Sequence, residues 1–130
     1  MKRVVLDTNF LIPFLKDPRS PAKLISGYDE VLLPAIVIGE FRAGLFNTKA
    51  GRQNRLALEQ FLQKSSVSIV PVTETTAEVY AKVFQALRDG GHPIPQNDMW
   101  IAASAIEHGA DIATADEHFG FVPMLTVVLL

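Results

Sequence analysis

The first apolar block of the chain, Val4 to Leu6, is short, continuous and rich in β-branched residues, and it stops on Asp7. That pattern predicts a strand covered on both faces. Asn9 is a candidate cap for a helix through "FLIPFLK", which Pro13 is expected to bend or shorten. "SPAKLISG" reads as a second helix, with Ser20 as cap, Pro21 in its first position and Gly27 as its stop. A second strand is expected at "VLLP", followed by a helix from about Ala35 through Phe46 that carries Glu40 and Arg42. Arg52 through Lys64 is amphipathic, with Leu56, Phe61 and Leu62 as expected core contacts. "VSIVPV" gives a third strand, and Thr73 or Glu74 to Arg88 a helix ended by Gly90 and Gly91. After "HPIP", a helix from Asn97 or Asp98 through Glu107 is closed by Gly109; "DIATA" is a fourth strand and "MLTVVLL" a terminal one at a sheet edge. Strands alternating with helices favour an α/β domain in which helices cover both faces of a mainly parallel sheet. In such a domain the functional crevice lies beyond the carboxyl ends of the strands.

Four acids stand out against this pattern. Asp7 and Asp116 end, or nearly end, apolar strands; Asp98 stands near a helix start; Glu40 lies in an otherwise apolar helix beside Ile36, Val37, Phe41 and Gly44. Strand ends and helix starts meet on one rim of a parallel sheet, so the four can share a site. Their mutual repulsion there would raise their proton affinity unless a cation relieved it. A hard divalent ion such as Mg²⁺ takes oxygen ligands and keeps water in its remaining positions, which suits phosphoryl chemistry. Each acid also has a purely structural reading. Asp7, Asp98 and Asp116 can be ordinary caps or turn residues, and Glu40 can be a solvated helix residue paired with Arg42.

Composition narrows the field. At 130 residues and 48% hydrophobic, the chain fits a single domain spanning 1–130 with a core of its own. Fourteen acidic against twelve basic residues give a formal charge of −2, so no surplus of positive charge marks a strongly basic nucleic-acid binder. A basic face can still coexist with an acidic centre bridged by metal. The absence of Cys excludes a disulfide scaffold, thiolate metal sites and cysteine nucleophiles. The start, "MKRVVLDTNFLIPFL", is interrupted by Asp7 and Asn9 and lacks a small-residue cleavage site, so it reads as a core strand rather than a signal peptide. No charge-free stretch approaches the roughly 18 residues of a membrane span, and a cytoplasmic location is expected. There is no glycine-rich dinucleotide loop, Walker-type loop or G-x-S-x-G elbow.

The runs "VVLDTNFLI", "PAIVIGEFRAGL" and "NDMWIAASAIEHGADIATADEHFGFV", with the closing strand, resemble the PIN-domain family. In particular they resemble the VapC-type toxins of bacterial and archaeal toxin–antitoxin pairs. The resemblance covers nearly the whole chain. It implies a three-layer fold with a central parallel sheet of about five strands, and a metal-dependent endoribonuclease whose acidic pocket binds Mg²⁺ or Mn²⁺. The family's acids fall on Asp7 of "LDTN", Glu40 of "GEFRAG", Asp98 of "DMWIAA" and Asp116 of "TADEHF"; its polar companions fall on Thr8, Asn9 and Thr114. The resemblance also implies an RNA substrate, a small cognate antitoxin and a homodimer.

On this reading Asp7, Asp98 and Asp116 hold the ion directly or through water, Glu40 orients the attacking water or the ion's shell, and Thr8, Asn9 and Thr114 hold carboxylate rotamers. Products are expected to carry a 5′-phosphate and a 3′-hydroxyl. Two other readings stand beside it: a PIN-like RNA-binding or scaffold protein without useful turnover, and a PIN nuclease of RNA processing or DNA repair unconnected to an antitoxin. His118 has no His or Cys partner at transition-metal spacing and reads as a packing or surface hydrogen-bonding residue. Trp100 and Phe119 read as core, and Arg42, Lys16, Lys49, Arg52 and Arg55 as solvated charges.

Overall fold

The computed structural model describes every residue except Pro18 and Asn47, together with the Ser20 side chain. Five strands form one sheet: β1 (Arg3–Leu6), β2 (Glu30–Pro34), β3 (Val67–Val70), β4 (Asp111–Thr114) and β5 (Val127–Leu129). Their order is β3-β2-β1-β4-β5. Every pairing is parallel, which bears out the expected architecture. β1 runs through the centre with Val4, Val5 and Leu6 fully buried, as a strand covered on both faces requires.

Six helices flank the sheet among the described residues: α1 (Thr8–Lys16), α2 (Arg19–Ile25), α3 (Ala35–Leu45), α4 (Gly51–Leu62), α5 (Glu74–Gly90) and α6 (Gln96–Glu107). None is long and apolar enough to cross a membrane. α6 packs against α5, α3, β1 and β4. Its run Ile101, Ala102, Ala103, Ser104, Ala105 is buried without a break, since small side chains let it approach neighbours on several sides. α5 stops where Gly91 turns left-handed, at φ 71°, a conformation glycine adopts without a Cβ clash.

Several local expectations change. The cap of α1 is Asp7 rather than Asn9, because the Asp7 carboxylate accepts from the Thr8 N–H and the helix starts one residue earlier. α1 continues through Pro13 to Lys16. α2 begins at Arg19, which moves Pro21 to its third position; the Ser20 cap falls outside the described residues. Leu56 is 52% exposed, and the inward face of α4 is carried by Leu58 and Phe61. Leu56, Leu58, Phe61 and Leu62 are all apolar, so composition alone did not set the helical phase.

The chain adds strands on one side of β1 (β2, then β3) and later on the other (β4, then β5). This reversal opens a crevice between β1 and β4 at the carboxyl edge of the sheet, the position where open α/β sheets bind ligands. Asp7 follows β1 and Asp116 lies just past β4.

Candidate metal centre

The register of β1 on β4 dictates which groups meet in the crevice. Leu6 lies opposite Ala113, and the Asp7 N–H donates to the Ala113 carbonyl at 2.9 Å. The next side chains beyond that bond are therefore Asp7 and Thr114. Thr114 is fully buried and its Oγ1 donates to Asp7 Oδ2 at 2.8 Å, while Asp7 Oδ1 accepts from the Thr8 N–H at 2.8 Å. Both oxygens of Asp7 are thus fixed. Thr114 Oγ1 also accepts from the Asp116 N–H at 3.0 Å, which sets the turn that carries Asp116.

Two helices bring the remaining acids. From α3, Glu40 accepts from Thr8 Oγ1 at 2.7 Å. From the first turn of α6, Asp98 meets His118 Nε2 at 2.8 Å, and the other ring nitrogen of His118 lies 2.7 Å from Asp116 Oδ1. The contacts run as a chain around the crevice: Glu40 to Thr8, Thr8 to Asp7, Asp7 to Thr114, Thr114 to Asp116, Asp116 to His118, and His118 to Asp98. A long 3.5 Å contact from the Asn97 amide back to Glu40 nearly closes the circle. Asn9 braces it from outside, its Oδ1 accepting from the Ala115 N–H at 2.8 Å and lying 3.1 Å from Thr114 Oγ1. The helix-capping duty first given to Asn9 belongs to Asp7, and the Asn9 side chain reaches across to the end of β4.

The structure thus brings Asp7, Glu40, Asp98 and Asp116 together, with Thr8, Asn9 and Thr114 linking them. His118 is the member that sequence reasoning missed. It does hydrogen-bond, as expected, but to two of the four acids. The signal lay in its place two residues after Asp116, inside the short 3-10 turn that Asp116 caps through the His118 N–H. Phe119, fully buried, anchors that turn in the core as expected. Trp100 stacks on Tyr80 at 4.0 Å between centroids and takes no part. Lys16, Lys49, Arg52 and Arg55 are exposed, and Arg55 pairs with Glu59.

Electrostatics follow from this crowding. Burial pushes the Asp7 carboxyl up to about 6; the Thr114 and Thr8 hydrogen bonds oppose the shift, and the nearby Asp98 and Glu40 charges add to it. Asp98 is also raised, first by burial and further by Glu40 and Asp116, against the lowering effect of His118. Among the described residues no Lys or Arg forms a salt bridge with any of the four acids. Surplus negative charge held among oxygen donors fits a hard divalent cation. One ligand atom from each of Asp98, Asp116 and His118 lies within 4.8 Å of the others.

The pattern that describes the PIN domain matches residues 4–123. The chain belongs to the PIN-domain family. Ribonuclease VapC4 of Mycobacterium tuberculosis is 25% identical to this PIN domain over 130 residues, covering 100% of this chain and 98% of the relative. VapC ribonuclease Y4jK of Sinorhizobium fredii is 31% identical over 122 residues, covering 87% and 86% respectively. The crystal structure of VapBC2 from Rickettsia felis, bound to a DNA fragment from its promoter, contains a chain similar to this PIN domain. The TM-score is 0.83 at 26% identity, over 96% of both chains. These likenesses bear out the resemblance read from the sequence motifs.

Proposed function

We propose that this PIN domain, taken as one unit over residues 1–130, is the toxin of a type II toxin–antitoxin pair and a metal-dependent endoribonuclease that hydrolyses RNA phosphodiester bonds. The observation that carries the proposal is the hydrogen-bonded circuit that gathers four carboxylates at the β1/β4 crevice with, among the described residues, no Lys or Arg paired to them. The names of the relatives, ribonucleases of the VapC type, support RNA as the substrate. The solved VapBC complexes support a small cognate antitoxin as partner.

Asp7, Asp98 and Asp116 are the residues that would hold the ion, with Mg²⁺ preferred on the oxygen-rich donor set and Mn²⁺ as substitute. When bound, a divalent ion supplies neutralisation of phosphate charge and a lowered proton affinity for an attacking water. Thr114 and the Thr8 N–H fix the Asp7 rotamer, so its oxygens need no reorganisation when charge is taken up. Glu40, held by Thr8, has its second oxygen engaged, among the described residues, only by the long Asn97 contact, which supports a role in orienting water. The proposed setting is the cytoplasm, and the working unit a homodimer. Exposed apolar side chains such as Phe84, Phe121 and Met124 offer surface for such an association.

Sequencing the ends of RNAs cut by purified protein tests the reading. Cleavage should require Mg²⁺ or Mn²⁺, leave 5′-phosphate and 3′-hydroxyl ends at preferred sites, and disappear in Asp7→Asn. Equal cutting in excess chelator, or by the variant, would refute it.

A further inference from the structure

The Asp98 and Asp116 carboxylates arrive on separate elements, the first turn of α6 and the turn after β4, and their shared contact is the imidazole of His118. Nε2 lies 2.8 Å from Asp98 Oδ2 and Nδ1 lies 2.7 Å from Asp116 Oδ1, so both ring nitrogens are spent on carboxylates. Where the nitrogen carries the hydrogen it has no lone pair in that direction; where the acid carries it, the lone pair is already used. In neither case does this ring placement offer a nitrogen to an ion. An ion held by Asp98 and Asp116 would compete with the ring wherever it drew on the lone pairs that the ring now engages.

We infer that His118 is a positioning residue, a displaceable brace that holds Asp98 and Asp116 together in the ion-free protein and swings aside when a divalent ion takes their oxygens. The inference rests on the proposal that these two acids hold the ion. It assigns His118 a role opposite to that of a ligand. The ring sits with about a quarter of its side-chain surface exposed, so it has solvent to turn toward. Its neighbour Phe119 stays anchored in the core, so movement is confined to the side chain. Displacement removes two hydrogen bonds to the site acids, and this loss weakens ion binding in the native protein. The brace therefore sets a threshold of ion affinity, while keeping two mutually repelling acids in place until the ion arrives.

Calorimetric titration of the full chain with Mg²⁺, after stripping with chelator, separates the possibilities by sign. His118→Ala should bind Mg²⁺ about tenfold more tightly than the native chain, the scale expected for releasing charged hydrogen bonds, and His118→Gln should fall between them. Without ion, His118→Ala should melt below the native protein, and saturating Mg²⁺ should shrink that gap. A histidine ring resonance lost in His118→Ala should move on addition of Mg²⁺ to the native chain. Unchanged or weaker Mg²⁺ binding in both variants would overturn the brace, the weaker result making His118 a ligand. Asp98→Asn separates this failure from failure of the underlying proposal. If the native chain binds no Mg²⁺, or Asp98→Asn binds it equally well, the metal assignment itself falls and the brace falls with it.

Discussion

Thr114 Oγ1 donates to Asp7 Oδ2 at 2.8 Å across 107 positions of sequence, and the same oxygen accepts the Asp116 N–H. One fully buried hydroxyl therefore sets the rotamer of one acid and the backbone of another. Thr114→Val keeps the shape and removes both bonds. It should lower metal affinity by about 10- to 100-fold, the usual cost of losing an orienting partner. Stability should fall by about 1–3 kcal/mol, because the Asp116 N–H is left unpaired. Titration calorimetry and denaturant melts check the two effects, and native affinity in the variant would show that Thr114 does not position the acids.

Asp7→Asn should separate activity from stability. The amide cannot bind an ion as a carboxylate does, so Mg²⁺-stimulated cleavage should drop by at least about 100-fold, beyond what loss of an orienting partner costs. The same change removes a buried charge whose ionised form burial disfavours. The metal-free variant should therefore be more stable than the native chain at neutral pH, by about 1–3 kcal/mol. The Thr114 hydroxyl can accept from the new amide by turning its own hydrogen toward Asn9 Oδ1, 3.1 Å away. A destabilised variant would mean that the α1 cap outweighs the buried charge.

What the sequence disclosed and what it hid divide along physical lines. The central strand was legible because a parallel strand buried on both faces leaves an unbroken hydrophobic signature, as Val4 to Leu6 does. The edge strands β3 and β5, with Ile69 and Leu129 exposed, were legible only as short runs rich in β-branched residues. Asp7 and Asp116 were legible as interruptions of that signature. Helix phase and helix start were less legible. Asp7 and Asn9 are both good caps, and only the β1–β4 register reveals that Asn9 is drawn off to Ala115. Spacing put His118 on the turn of Asp116 but could not reveal its second partner, Asp98, which lies 20 residues away on another helix. A search for His or Cys at metal spacing overlooks a histidine whose neighbours are carboxylates.

Glu40 and Asp98 should respond differently to neutralisation. Glu40 is tied to Thr8 and, distantly, to Asn97, whereas Asp98 shares His118 with Asp116. Glu40→Gln should lower the cleavage rate with little change in Mg²⁺ affinity; Asp98→Asn should lower both. Thr8→Val, which frees Glu40 while sparing the carboxylate, should reproduce the Glu40→Gln effect in milder form. Single-turnover rates measured beside Mg²⁺ titrations distinguish them. Equal loss of Mg²⁺ binding in Glu40→Gln and Asp98→Asn would make Glu40 a ligand instead of a water-orienting group.

The pH dependence of metal-free stability follows from Asp7. Its carboxyl is raised from an ordinary 3.8 to about 6, so between these values the folded protein holds a proton that the unfolded chain has released. Stability therefore falls as pH rises through that window, then levels off above it, by about 3 kcal/mol for this group taken alone. Asp98, raised in the same direction, adds to the fall. An ion reverses the trend, because it binds the ionised acids and its affinity grows as their protons leave. Thermal melts from pH 4 to pH 7.5 should show declining stability in chelator and a smaller decline, or a rise, at saturating Mg²⁺. Asp7→Asn should flatten much of the slope in chelator. A metal-free profile that rises with pH over this window, and is unaltered by Asp7→Asn, would show that the Asp7 carboxylate is better compensated than its buried position between Thr8 and Thr114 implies.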